Sequence, residues 1–323
     1  MRLSKSIGLT LFLLLLGVSG ADAQVTITSA NGHPWDIITT DGNVNDGGGD
    51  AFDGFGFLGL RVLDASSISL GEVSRISGFN LVQSEGNARL IFSTAPVSFN
   101  GVTVTRQLYM PPGTDFLRYF DTFVNTTTAP LKIQVAFQGN LGSDSSTVVS
   151  ATASGDQLLT AADVWAVTTQ GNFGNPGIAP VGDPVVGMLA GNIHLTAVAR
   201  GAFSGASPFD STFTSSGDDN LSFVYSLDVA PGESVSTVFF VFRGLSEVAN
   251  QPNGSPPPPA GSQVPAAVAA LTAMLANPDF SQLSAQQIAQ ISNLTAVPEP
   301  STWALLVSGG VMLLLGARRW VRG

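Results

Sequence analysis

Leu131, Ile133, Val135 and Phe137 alternate with Lys132, Gln134, Ala136 and Gln138, and this period of two constrains the fold more than any other feature. Successive strand side chains point to opposite faces, so such a run buries one face and wets the other. Val102 to Tyr109 alternates in the same way and stops at Pro111-Pro112-Gly113. Phe116 to Val124 reads as its hairpin partner across Met110 to Thr114. Further strands are expected over 51–63, 88–92, 147–151, 164–168, 185–189, 193–199, 221–228 and 234–242. Val238 to Phe242 is continuously apolar and predicts a strand buried on both faces. Only 11% of residues are charged, far fewer than a helical chain of this length carries, and Thr, Val and Phe are frequent. The expectation is all-β: a β-sandwich of many short, mostly antiparallel strands over residues 24–250.

The composition changes after Asn250. Residues 251–262, with four consecutive prolines from Pro256, read as a semi-rigid Pro-rich linker. Two short helices are expected in 263–293. Val264, Val268, Leu271 and Leu275 share one helical face, with Pro265 tolerated in the first turn. Ser284 and Gln287 have capping-box spacing, and Leu283 with Ile288 has the spacing of a hydrophobic staple for a helix through Ser292. Neither apolar stripe is wide, so both helices are expected to dock on the β domain or on each other.

The two ends carry a different kind of signal. Arg2 and Lys5 precede an apolar run from Ile7 to Val18, and Ala21-Asp22-Ala23 follows. This is the pattern of a secretory signal peptide, residues 1–23, cleaved after Ala23. It implies passage through the Sec export machinery. At the other end, Val297-Pro298-Glu299-Pro300 leads into Ser301 to Ala317 without a charge, then Arg318, Arg319 and Arg322. Seventeen helical residues span roughly 25 Å, at the short end of what crosses a bilayer core. Trp303 and Trp320 lie near its borders, and the arginines belong on the cytoplasmic side. A transmembrane helix in residues 296–323 would therefore hold the rest of the chain outside the inner membrane.

Val-Pro-Glu-Pro-Ser-Thr, an apolar segment with Gly309-Gly310 and a terminal Arg cluster together resemble the PEP-CTERM sorting signal of exported Gram-negative proteins. The resemblance covers only about the last 27 residues. It implies recognition by an exosortase, a membrane transpeptidase-like enzyme acting near Pro-Glu-Pro. It further implies transient anchoring, then delivery to the cell surface or extracellular polysaccharide. It says nothing about the domain delivered.

The chain carries a net charge of −10. Setting aside the five basic and two acidic residues of the two ends leaves 8 basic and 21 acidic ones, a net of about −13 on the exported part. That argues against nucleic acid and anionic lipid as partners and is compatible with divalent cations. With no cysteine, disulfides, thiol nucleophiles and cysteine-ligated zinc are excluded too. Asp41, Asn43, Asn45, Asp46, Asp50 and Asp53 crowd one Gly-rich stretch. Hard oxygens at this density suit calcium, although the EF-hand pattern fails at Asp46 and Phe52. The same residues suit a turn cluster somewhat better, because Asn, Asp and Gly fill turns for backbone reasons.

No catalytic set is legible. His33 and His194 are the only histidines, with His194 expected on a strand face opposite Ile193 and Leu195. Asp144 or Asp163 could complete a Ser-His-Asp set, but no G-x-S-x-G elbow accompanies them. Glu72, Glu85, Glu233 and Glu247 are the glutamates open to a glycosidase-type carboxylate pair. Trp35 and Trp165 could stack on sugars, though strand aromatics usually pack in cores. Four N-x-S/T sequences begin at Asn125, Asn220, Asn253 and Asn293, in predicted loops or strand ends. The reading is an exported surface or matrix protein of structural or binding role. The alternative is a secreted carbohydrate-active enzyme or carbohydrate-binding module acting on matrix polysaccharide.

Overall fold

A computed structural model describes residues 23–45, 51–143, 147–170, 182–200, 207–210 and 219–294. The expected signal peptide except Ala23, the expected sorting tail, and Asp46, Asp50 and Asp144 lie outside them. Among the described residues no helix is long and apolar enough to cross a membrane.

The strands run β1 (Gln24–Thr28), β2 (Pro34–Ile38), β3 (Val44–Asn45), β4 (Asp53–Asp64), β5 (Ser69–Val73) and β6 (Leu81–Ser84). Then come β7 (Asn87–Ser93), β8 (Val97–Phe99), β9 (Val102–Tyr109), β10 (Phe116–Asn125), β11 (Leu131–Asn140) and β12 (Thr147–Thr152). The series closes with β13 (Trp165–Gln170), β14 (Val186–Leu189), β15 (Leu195–Arg200), β16 (Asn220–Val229) and β17 (Ser234–Arg243). Two helices follow, α1 (Gln263–Ala276) and α2 (Ala285–Ala289).

The strands form two antiparallel sheets. One is ordered β1-β2-β3-β4-β11-β16-β15 with β5 on β4, the other β12-β13-β14-β17-β10-β9-β7-β6 with β8 on β9. The expected β9–β10 hairpin is present, pairing Tyr109 with Arg118 and Val102 with Asn125. At the sheet interface Phe137 of β11 stacks on Phe239 of β17, ring centres 3.9 Å apart. Tyr119 meets Phe137 edge-on at 4.8 Å, and Phe223 meets Phe239 at 5.2 Å. The alternating residues Leu131, Ile133, Val135 and Phe137 all belong to this core.

β17 is buried on both faces, as its composition predicts. Phe239 and Val241 face the inter-sheet core, while Val238 and Phe240 join a second cluster outside it. α1 seals that cluster with Val264, Ala267, Leu271 and Met274, and Val268 and Leu275 flank them partly buried. Gly187 of β14 lies beneath the helix; a Cβ there would stand 3.0 Å from Leu271 Cδ1. A side chain at 187 would therefore lift α1 off the sheet.

The segment expected as a linker is tied down at both ends. Gln251 is buried and accepts at Oε1 against His33 Nε2, 3.2 Å away. At the other end the Glu247 carboxylate accepts from Gly261 N and Gln263 N, each at 2.8 Å. Gln263 N is the first N–H of α1 and Gly261 N precedes the cap position, so the capping of this helix comes from a distant acid, not from Ser262. α2 carries the expected capping box, Ser284 Oγ accepting from Gln287 N and Gln287 Oε1 from Ser284 N. It ends at Ala289, short of the expected Ser292, because the chain beyond it turns into a strand-like course.

Candidate functional site

Three polar constellations are built by the fold. The first lies between the sheets. Arg106 of β9 and Asp121 of β10 stand opposite each other in register and both point inward. Arg106 Nε and Nη2 donate to the two Asp121 oxygens at 2.7 and 2.9 Å, with both side chains essentially inaccessible. Arg106 Nη1 also donates to Asp41 O at 2.7 Å and Gly56 O at 2.6 Å. The rings of Tyr119, Phe79 and Phe137 surround the guanidinium at 5.1 to 5.9 Å. Burial alone would lower the Arg106 pKa, yet the Asp121 carboxylate holds it above the ordinary arginine value. The same burial raises the Tyr119 phenol far above its usual range. Every hydrogen bond of this group is internal, so it ties β9, β10 and the Asp41 segment together.

The second constellation is the Asp/Asn/Gly stretch. Asp41 is fully buried; its carboxylate pairs with Arg75 and accepts from Asn43 N at 3.1 Å. The guanidinium of Arg75 lies 4.0 Å over the Phe57 ring. Asn45 sits in β3, paired with Asp36 and Asp53, and Asp53 opens β4 with an exposed side chain. Residues differ in their fit to calcium. Asp41 already serves a cation, whereas Asn43 Oδ1 is buried without a hydrogen-bond donor. Among the described residues no group of three His, Asp or Glu is placed to hold a metal.

The third constellation is the C-terminal arm, residues 290–294. β14 covers one edge of β17 only from Leu189↔Phe240 to Val186↔Arg243. The arm fills the rest of that edge. Ser236 N donates to Gln290 O at 2.8 Å, and Ser292 N to Ser236 O at 2.9 Å, as a parallel bridge. Asn293 then substitutes its side-chain amide for strand backbone. Its Oδ1 accepts from Val238 N at 2.8 Å; its Nδ2 donates to Val238 O at 2.7 Å and Ala190 O at 2.8 Å. A Cβ on Gly191 would meet Asn293 O at 2.1 Å, so only glycine permits this approach. Leu294 closes the arm inside the α1 cluster.

The remaining candidates are dispersed. His194 is not on a strand: it occupies a turn at φ 60°, and its carbonyl accepts from Ser226 N. The turn arises because β15 begins one residue later, at Leu195. Asp163 is buried and spends both oxygens on loop groups, Ser154 N, Thr160 N and Thr160 Oγ1. Glu72 pairs with Arg61, which also holds Asp210; Glu233 lies in the β16–β17 turn and Glu85 in the β6–β7 turn. Trp35 and Trp165 are both core residues. Of the four N-x-S/T asparagines, Asn125 and Asn293 are fully buried, Asn220 is half-buried and Asn253 exposed. An open cleft of about 510 Å³ lies between the β9–β10 turn and α1, lined by Thr114, Phe116, Phe242, Met274 and Asn277. The carbonyl of Ala23 accepts from Thr39 N and Oγ1, and β1 starts at Gln24, the residue after the expected cleavage.

Sequence reasoning passed over the Arg106–Asp121 pair and the arm. Asp121 interrupts an apolar strand, which is a readable signal of a buried charge needing a partner. Asn293 carried no signal, since nothing local marks an amide that will replace strand backbone.

No protein-family model matches the chain, and no curated protein does. Among solved structures it is similar to a polysaccharide lyase, 11% identical with a TM-score of 0.37, over 68% of this chain and 32% of that one. A protein assigned as a kojibiose phosphorylase from the human microbiome is 9% identical with a TM-score of 0.39, over 79% and 27%. One assigned as an aldose 1-epimerase from Escherichia coli K12 is 10% identical with a TM-score of 0.35, over 68% and 98%. The chain thus spans about a third or less of the first two. Likenesses this slight say nothing about substrate or activity.

Proposed function

We propose that this chain is an exported protein of the cell surface or extracellular matrix, sorted by its C-terminal tail and serving a structural or binding role. The observation that carries the reading is the order Val297-Pro298-Glu299-Pro300, apolar run, Arg318, Arg319 and Arg322, at the chain end. An exosortase-type enzyme would process the tail after transient anchoring in the inner membrane. The acidic, cysteine-free exported part suits solubility outside the cell and contact with uncharged or cation-bridged polysaccharide. The carboxylates described above serve ion pairs, caps and turns, which favours a binding role over a hydrolytic one.

Replacing Pro298-Glu299-Pro300 by alanines should leave export intact and trap the protein in the membrane fraction. Normal release of that variant would overturn exosortase processing. A polysaccharide panel tests the second half of the reading: retention on a glycan without turnover supports a binding role. Turnover lost on substituting a carboxylate would replace it with the enzymatic alternative. A calcium ion at the Asp41–Asp53 stretch belongs to the same proposal, favoured by the donor-less Asn43 Oδ1. Millimolar EGTA should then lower the melting temperature; an unchanged value removes calcium.

A further inference from the structure

The C-terminal arm is held firmly, and the segment leading to it is not. Residues 290–294 make the backbone and Asn293 bonds described above and bury Leu294. Between α1 and the arm, α2 buries none of its residues. Phe280 packs partly on the outer cluster, and the other holds are polar. Arg118 Nη1 donates to Asp279 O at 2.8 Å and Ser281 O at 2.7 Å, and Gln107 Nε2 reaches Gln282 O only at 3.4 Å.

These holds are costly ones. Arg118 is fully buried under the segment with Nε and Nη2 lacking any acceptor, and Gln107 Oε1 is buried without a donor. No carboxylate lies within ion-pair distance of Arg118 among the described residues; the Asp279 carboxylate on the segment attracts it from farther off, and the Tyr109 ring lies 5.1 Å away, so the attraction only partly offsets burial. Lifting the segment returns these groups to water, which offsets the two carbonyl contacts that are lost. The result is a weak hinge of about 13 residues, 277–289, joining two well-packed ends. Extended, it would reach about 45 Å, enough to carry the arm beyond its own sheet.

We infer that the β17 edge beside Asn293 is an exchangeable strand slot, filled in one copy by its own residues 290–294 and able to take the same segment from a second copy. Exchange of an identical element keeps every slot contact and changes only the hinge, which is why it is a low-cost route to dimers. The partner is specified by chemistry: the slot needs an extended segment with an asparagine amide to span Val238 N and O and a following leucine, its backbone passing close over Gly191. The inference stands whether or not the tail is processed.

The absence of native cysteine gives a clean test on the full chain. Ser236→Cys with Ile291→Cys places a thiol on each side of the bridge. Two copies of this variant carrying tags of different mass are mixed and oxidised, then run without reductant. A disulfide joining the two tags is expected, its fraction rising about tenfold for a tenfold rise in concentration while dimer is minor. Added salt should raise it further, because the copies share a net charge of −10. As a check independent of the thiols, native mass measurement of the unsubstituted chain should show the same dimer. Asn293→Ala weakens the arm equally in either setting, so it should speed exchange severalfold and leave the equilibrium dimer fraction unchanged. Intrachain disulfide alone at every concentration, with a monomeric native mass, would overturn the inference.

Discussion

Asp121 is the residue that most plainly departs from its surroundings, a carboxylate between Phe120 and Phe123 on a strand that faces the core. It persists there because Arg106 meets both its oxygens and the Arg106 remainder is taken up by two carbonyls. Removing one partner strands a buried charge. Arg106→Met should destabilise the fold by about 3–5 kcal/mol in urea denaturation, and Arg106→Met with Asp121→Leu should recover much of that loss. A full loss in the double variant would show that the pair contributes net stability beyond avoiding an unpaired charge. The buried phenols set the alkaline limit. Tyr119 and Tyr225 are fully buried, Tyr225 donating to Ala190 O at 2.7 Å, and both are pushed well above the ordinary tyrosine value by desolvation. Their folded pKa exceeds the unfolded one, so the unfolded chain loses these protons first, and stability falls as pH rises beyond about 10. Arg118, lowered to about 10 by burial, titrates in the opposite sense and softens the fall without cancelling two phenols. The urea midpoint should therefore drop between pH 9 and 11, and Tyr225→Phe should flatten that drop. An equal drop in Tyr225→Phe would remove Tyr225 from the account.

Among the elements, α1 depends on a residue outside itself. Glu247 offers its carboxylate to two N–H groups at the helix start, where a negative charge also meets the positive end of the helix dipole. Glu247→Ala should cost about 1–2 kcal/mol, while Ser262→Ala, at the nominal cap position, should cost far less. Equal costs would mean that Glu247 acts through something other than capping. The same helix shows how far local pattern reaches. Its apolar face was legible at Val264, Val268 and Leu271, and so were the capping box at Ser284 and the strands that alternate over eight or more residues. Strands β1, β2, β3, β5, β6 and β8 were not, being two to five residues long, too short for a period to stand out even where, as in Gln24–Thr28, the residues alternate. Asn100-Gly101 is an exception that could have been read. Its φ values of 45° and 81° suit the tight turn joining β8 to β9, and Asn-Gly is the strongest short-range sign of such a hairpin. The cap on α1 was out of reach, because its acid lies 16 residues upstream across a proline-rich stretch.

At the scale of the whole molecule the described residues form two cores in series. The inter-sheet core holds Trp35, and the outer core beneath α1 holds Trp165. β17 is common to both, while the outer core alone depends on the last described residues, through Leu294 and through Asn293 at Ala190 and Val238. Asn293→Ala leaves Val238 N and O without those partners in a buried setting and Ala190 O with the Tyr225 hydroxyl alone, a loss of about 2–4 kcal/mol that falls first on the outer core. The inter-sheet core keeps its own Phe137–Phe239 contact and the Arg106–Asp121 pair and does not need the arm. Unfolding followed by fluorescence should therefore separate by probe. With Trp303 and Trp320 replaced by Phe, a variant reporting through Trp165 alone should lose its signal at lower urea than one reporting through Trp35, once Asn293 is Ala. In the unsubstituted background the two probes should give one midpoint, since β17 couples the cores. Coincident midpoints in the Asn293→Ala background would mean that the arm is part of a single cooperative unit. In that case, docking of residues 290–294 would be a condition for folding the whole β domain.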